Sequence, residues 1–321
     1  MFRYIIRRLL QMIPLLFGIT LLTFIIINAA GSPLAELEFN PRVRPEDIAR
    51  VRANLGLDEP LHVRYFVWVR NVLQGDLGYS LINFRPVGDR ILEVIPNTLL
   101  LSGLSLLISL TIAVPLGIYA AVHRNSFLDR VINVVAVGGY AVPTVWLGLM
   151  LILLFAVKFD EWGLYSFPVG GVRDLRGDGG LSDRARHLVL PITALVIPQV
   201  AVWLFYIRSN MLEVIRQDFV RTASAKGLSG KAVLYRHAFR NAMIPLITLL
   251  GLSLPDLFAG ALIVENVFAY PGMGRLTIQA IGDKDHTLVM GLTLVFAFLV
   301  ILGNLLADLF YAVVDPRIRL D

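Results

Sequence analysis

Residues 94–122 read VIPNTLLLSGLSLLISLTIAVPLGIYAAV, 29 consecutive positions without a charged side chain. A helix needs about 20 apolar residues to cross a hydrocarbon core of about 30 Å, so this run is long enough to span a bilayer. Pro96 and Pro115 do not argue against it, because neighbouring helices can satisfy the carbonyls that proline frees inside a membrane. Similar runs lie on either side: Leu9 to Ala30, Val131 to Val157, Leu188 to Ile207, Asn241 to Val264 and Thr287 to Ala307. Only the fifth carries an acid in its middle, Asp256. The pattern predicts an all-α integral membrane protein with about six transmembrane helices in a single transmembrane domain over residues 1–321.

Composition agrees. Of the 321 residues, 56% are hydrophobic and 17% charged, whereas a soluble domain carries about 25% charged residues. The net charge of +5 and pI near 9.6 are read as basic cytoplasmic loops rather than as a nucleic-acid surface. The chain has no cysteine, which excludes disulfides, thiolate metal sites and a cysteine nucleophile. Its five histidines, His62, His123, His187, His237 and His286, show no metal-ligand spacing, so no metal site is expected. The first run is too long for the 7–15-residue core of a signal peptide and is read as a retained helix.

Charge also sets the orientation. Arg3, Arg7 and Arg8 precede the first span with no acid among them, which places the N-terminus in the cytoplasm. Six spans return the C-terminus to the same side. Residues 31–93 then form an outer loop with helical signals of its own. Pro45-Glu46-Asp47 reads as a helix start, with Ile48, Val51 and Leu55 on one face and Gly56 as a stop. Leu61 to Leu73 reads as a second helical stretch. This loop is either a cap on the membrane surface or a docking or gating element for an external partner.

The segment 208–240 is the most basic on the cytoplasmic side. Seven Lys/Arg (Arg208, Arg216, Arg221, Lys226, Lys231, Arg236 and Arg240) face only Glu213 and Asp218. Two short apolar faces, Phe219-Val220-Ala223 and Val233-Leu234-Ala238-Phe239, flank a break at Lys226-Gly227. The spacing predicts a compact bracket of two helices. The small residues Ala223, Ser224, Ala225 and Gly227 suit the close approach of another backbone.

The chain carries no engine of its own. Gly230-Lys231 is followed by Ala232 and lacks the earlier glycine of a phosphate-binding loop. No nucleophile elbow or carboxylate pair suggests hydrolysis, so no catalytic residue is expected. Asp256 and Asp308 are the acids of the membrane runs, and intramembrane acids are functional candidates by default. For Asp256 the plainer reading is a buried carboxylate, hydrogen-bonded to Ser or Thr neighbours or protonated; for Asp308, at the cytoplasmic end of the sixth run, it is a side chain that reaches the interface.

Within the bracket, Arg221-Thr222-Ala223-Ser224-Ala225-Lys226-Gly227-Leu228 resembles the E-A-A-x-x-x-G loop of membrane subunits in bacterial ATP-binding-cassette importers. Ala223 takes the second alanine and Gly227 the glycine. Leu55-Gly56-Leu57-Asp58, Gly75-Asp76-Leu77-Gly78, Arg240-Asn241-Ala242-Met243-Ile244-Pro245, Tyr270-Pro271-Gly272-Met273-Gly274-Arg275 and Asp315-Pro316-Arg317-Ile318-Arg319 are similar to the peptide/nickel branch of these permeases. The likeness runs the length of the chain. It departs at Gly31-Ser32-Pro33, where the branch has Gly-Asp-Pro, and at Asp256.

The resemblance implies a channel-forming subunit in the bacterial inner membrane, importing di- or oligopeptides or, alternatively, a nickel chelate or other small solute. It implies a second related permease, two ATPase subunits that bind ATP and Mg, and an extracytoplasmic substrate-binding protein. Segment 208–240 would be the coupling loop to the ATPase. Tyr270, Pro271, Gly272, Gly274 and Arg275 would be partner or gate residues on the outer face. The rival is a proton-coupled secondary transporter using Asp256; the six spans show no internal repeat of the kind such carriers often carry.

Overall fold

The computed structural model describes residues 2–34, 44–54, 56–174, 180–259 and 261–314. Leu55 and the ending Asp315 to Arg319 lie outside them. Among the described residues the chain is helical, with one isolated β-bridge, Tyr79 to Pro86.

Helix α1 is Phe2–Ala29. Helices α2, Pro45–Asn54, and α3, Leu61–Leu73, follow. Helix α4, Val87–Val122, contains the charge-free run. Helices α5, Phe127–Ala141, and α6, Thr144–Glu161, form a pair, and α7 is Leu181–Ile215. The short α8, Asp218–Ala225, leads to α9, which starts at Gly230–Ala232, passes through a π-helical turn at Val233–Phe239 and continues over Arg240–Ala259. Helices α10, Leu262–Val267, α11, Met273–Gly282, and α12, His286–Val314, complete the order.

Among the described residues, five helices are long and apolar enough to cross a membrane, and six crossings result if the α5–α6 pair counts as one. At 1.5 Å per residue, α4 and α7 rise about 50 Å, so both continue well past the hydrocarbon core into the flanking loops. The sequence suggested one continuous span over Val131 to Val157. That expectation is corrected: α5 and α6 meet at a bend of 98°. Val142 is extended (φ −74°, ψ 124°), as a residue before proline prefers, and Pro143 starts the new helix without an N–H to give to the old one. Pro14, Pro191, Pro198, Pro245 and Pro255 stay inside their helices.

The chain divides into two compact units. The first comprises residues 1–96 and 276–301. Its apolar centre is Phe24, Tyr65 and Met290, with Leu21, Ile27, Trp68 and Val69 around them. The Tyr65 hydroxyl donates to the Phe17 carbonyl at 3.1 Å and pairs with Thr20 Oγ1 at 2.9 Å, which ties α3 to α1. Asp285, 1% exposed, accepts from Ser80 Oγ and caps the start of α12 through Leu288 N at 3.1 Å.

The second unit comprises residues 97–275 and 302–321. Two apolar clusters lie among its described residues. One gathers Ala201, Leu204, Ile207 and Met211 of α7 with Ala113 of α4, Ala136 of α5 and Ala242 of α9. The other joins Leu101, Leu151, Leu190, Ala194, Val264, Phe268 and Tyr270. Backbones come close where side chains are absent: a Cβ on Gly117 would sit 2.8 Å from Ile207 Cγ2, and one on Gly303 would sit 3.0 Å from Pro255 N. Such small-residue contacts are the usual way helices pack within a bilayer, where lipid tails are as apolar as the helices.

Candidate functional site

The bracket is built outward from the end of α7. Leu204, Ile207, Met211 and Val214 recur at helical spacing and are buried, so this face of α7 is fixed in the core. The helix stops at Ile215. Val220 N then donates to the Gln217 carbonyl at 3.1 Å as α8 begins, with Asp218 in its first turn, where an acid complements the helix dipole. In α8, Val220 and Ala223 lie three residues apart and turn inward, 6% exposed each, against the same cluster as Val233 and Ala238.

Lys226 N and Gly227 N close the helix on the carbonyls of Thr222 (3.1 Å) and Ser224 (3.0 Å). Gly227 has φ +79°, the left-handed region that only glycine occupies without penalty. A Cβ there would meet no atom within 4 Å. Ser229 Oγ then caps the next helical turn through Ala232 N at 3.4 Å.

The eight residues of the predicted coupling motif therefore divide. Arg221, Thr222, Ser224, Ala225, Lys226, Gly227 and Leu228 are exposed; Ala223 is not. The close approach that Ala223 permits is to the chain's own core. The second predicted short helix is not separate, since it runs through the π-helical turn into α9.

Beside this bracket the structure brings together two residues that sequence reasoning did not pair. Asp129 of α5, 3% exposed, accepts from Arg208 Nε and Nη2 of α7, both at 3.0 Å. Its remaining capacity is filled by Asn125 N (2.9 Å) and Asn133 Nδ2 (2.7 Å). Ser126 caps the same helix through Asp129 N at 3.1 Å. The Ser126-x-x-Asp129 pattern is a helix-start signal, but nothing local points to a partner 79 positions away. In the sequence Arg208 counted only as one of seven basic residues.

The motif at 270–275 folds around a second buried acid. Glu265, fully buried, accepts from Thr98 Oγ1 at 2.8 Å and from Arg275 N at 3.1 Å, while Met273 N donates to Thr98 Oγ1 at 2.8 Å. The carboxylate thus caps the first turn of α11. A Cβ on Gly272 would overlap it, and one on Gly274 would sit 2.5 Å from Leu262 Cα. Tyr270 is also fully buried and donates to the Asn97 carbonyl at 3.2 Å; Asn97 Nδ2 donates to Pro271 O at 2.8 Å. Burial and the nearby Glu265 carboxylate push the Tyr270 phenol up to about 12, so it remains a donor at any physiological pH.

Of the five predicted outer-face residues, Tyr270, Gly272 and Gly274 are interior parts of this clamp. Pro271 and Arg275 reach a cavity of about 850 Å³, which Arg173, Arg186, Asp183 and His187 also line.

Asp256 is exposed and lines a different cavity, of about 510 Å³, between α4, α5, α7 and α9. Asp308 is half-buried on α12 and is not among that cavity's lining.

Residues 113–320 match the family described as binding-protein-dependent transport system inner membrane component, and residues 1–102 match its N-terminal counterpart. The chain belongs to this family. It is 40% identical over 317 residues to the oligopeptide transport system permease protein AppB of Bacillus subtilis, covering 98% of this chain and 99% of that one. It is also 40% identical over 338 residues to the di/tripeptide transport system permease protein DppB of Pseudomonas aeruginosa, covering 99% of each. Among solved structures, the inward-facing MetNI methionine ABC transporter aligns with a TM-score of 0.56 at 16% identity, over 70% of this chain and 96% of that one. That likeness is one of fold. As a member of this family the chain is a non-catalytic, multi-pass permease subunit of an importer. The relatives support that reading over a proton-coupled carrier.

Proposed function

We propose that this chain is one of two permease subunits of an ATP-driven importer for di- or oligopeptides. The observation that carries the cargo class is full-length similarity, at 40% identity, to permeases named for oligopeptides and di/tripeptides. Two ATPase subunits bind ATP and Mg on the cytoplasmic side, and a substrate-binding protein delivers cargo from outside. Both termini and the bracket are cytoplasmic; the clamp around Glu265 and the cavity beside Arg275 are on the outer face.

Coupling runs through the bracket. The exposed stretch Ser224 to Leu228 meets the ATPase, and its inward side, Val220 and Ala223, is wedged against α7 and the start of α9. A push on the exposed side therefore moves the bases of two spans together rather than deforming a loop. Two helix arrangements with different affinity for the ATPase states are enough to convert closure into alternating access. The Asp129–Arg208 pair extends the moving body to α5. The clamp at Tyr270 to Arg275 holds the outer connection between α10 and α11 rigid, as a gate element requires.

The test is uptake of a labelled dipeptide into proteoliposomes holding the whole complex. Uptake should follow ATP and survive collapse of the proton gradient. Uptake lost on collapse while ATP is maintained would overturn the importer reading.

A further inference from the structure

The Asp256 cavity has a lining that the coupling role leaves unused. Asp256 sits in a membrane span, yet it is exposed, and among the described residues no hydrogen bond or ion pair reaches its carboxylate. Polar intramembrane groups are costly and are normally paired. The same cavity is lined by three aromatic rings, Tyr140, Trp203 and Tyr206, and by the polar groups of Ser102, Gln199 and Ser253. The rest of the lining is aliphatic. The volume of about 510 Å³ falls within the range of about 300–1,000 Å³ typical of small-molecule sites.

One carboxylate among electron-rich rings is the chemistry that recognises an ammonium. The charge pairs with it, and the ring faces attract it through their quadrupoles. A carboxylate of a ligand would meet the opposite response: Asp256 would repel it, and no Lys or Arg lines the cavity. We infer that this cavity is a transient site for the ammonium end of the cargo on its way through the membrane, with Asp256 as the charge partner. The inference rests on the reading that this chain conducts cargo; in that reading the cargo's amino terminus supplies the ammonium.

The test uses the purified importer without its binding protein, so that external selectivity does not enter. Trp203 lines the cavity, and its fluorescence, taken as the difference between wild type and Trp203→Phe, reports occupancy. The probes are alanylalanine, its N-acetyl derivative, and ethylammonium. Alanylalanine and ethylammonium should change the Trp203 signal and the N-acetyl peptide should not. Asp256→Asn should weaken both responses about tenfold, the scale of one charge-assisted contact, and Asp256→Glu should restore most of the loss.

An equal response to the N-acetyl peptide, or an unchanged response in Asp256→Asn, overturns the proposal. So does loss of the second permease on purification of Asp256→Asn, which would assign the carboxylate to a subunit contact. Dipeptide uptake by the complete wild-type complex is measured beside these. Failure of uptake with a normal ethylammonium response removes the peptide reading and keeps the site; normal uptake with no response to any probe does the reverse.

Discussion

Gly227 separates two explanations of the bracket, because they rank the same substitutions in opposite orders. The residue has φ +79°, and a side chain built there meets nothing within 4 Å. The intramolecular cost of any substitution is therefore backbone strain alone. For alanine in the left-handed region it is about 1–2 kcal/mol. Asparagine and aspartate enter that region more readily, so the fold should tolerate Gly227→Asn and Gly227→Asp at least as well as Gly227→Ala. A contact with the ATPase reverses the order. Alanine adds one methyl to the exposed surface; aspartate adds bulk and a charge at a position surrounded by open space only while the subunit stands alone. Membrane abundance and thermal stability in detergent should then rank Asn and Asp at or above Ala, while ATPase co-purification and substrate-stimulated hydrolysis should rank Ala clearly above Asp. The outcome expected for Gly227→Asp is a subunit present at normal abundance that fails to hold or stimulate its ATPase. If assembly and coupled hydrolysis follow the same order as abundance, the bracket is an internal anchor and the coupling argument fails.

Three further outcomes follow from the same geometry. Asp129→Ala leaves the Arg208 guanidinium without its bidentate partner in a mostly buried place, so stability in detergent should drop by about 3 kcal/mol or more; the double variant Asp129→Ala, Arg208→Ala should recover part of it, and a simple sum of the two single losses would deny the pair any coupling. Thr98→Val removes the donor to Glu265 and the acceptor of Met273 N together, which at about 1.5–3 kcal/mol for a bond to a charged group should lower the melting temperature, whereas Thr98→Ser should not; equal melting curves would mean the clamp is not under load. A reporter active only in the cytoplasm should work when fused at the C-terminus and fail near Gly56, and the opposite pattern would invert the orientation on which the placing of bracket and clamp depends.

The membrane spans were legible because they depend on composition over 20 or more residues, which local detail cannot mask. The break between α5 and α6 was not. Eight prolines lie inside the membrane runs, Pro14, Pro96, Pro115, Pro143, Pro191, Pro198, Pro245 and Pro255, and among the described residues only Pro143 separates two helices. Each removes one donor and disfavours the helical conformation of the residue before it. Whether a helix continues past that defect depends on what the surrounding helices offer the freed carbonyls, and those neighbours are distant in sequence. The buried acids were hidden for a related reason. Glu265 lies one residue beyond the end of an apolar run and meets Thr98, 167 positions away. No window of sequence contains both.

The bracket shows how far a motif reaches before structure must decide. Its small residues announce close packing, but smallness does not say which side is approached. Ala223 and Ala225 are chemically identical and two positions apart, which on a helix places them about 200° around the axis. Ala223 shares a face with Val220 and is buried; Ala225 shares one with Thr222 and is exposed. The inward alanine lets α8 lie tightly on its own spans, and the outward one leaves room for a partner. A larger residue at 223 would lift the bracket off α7 and α9, and one at 225 would act on the ATPase if the proposed coupling contact is made there. Both surfaces are needed if a force applied outside is to reach the helices inside, so the proposed coupling role requires two contacts on opposite sides of one short helix.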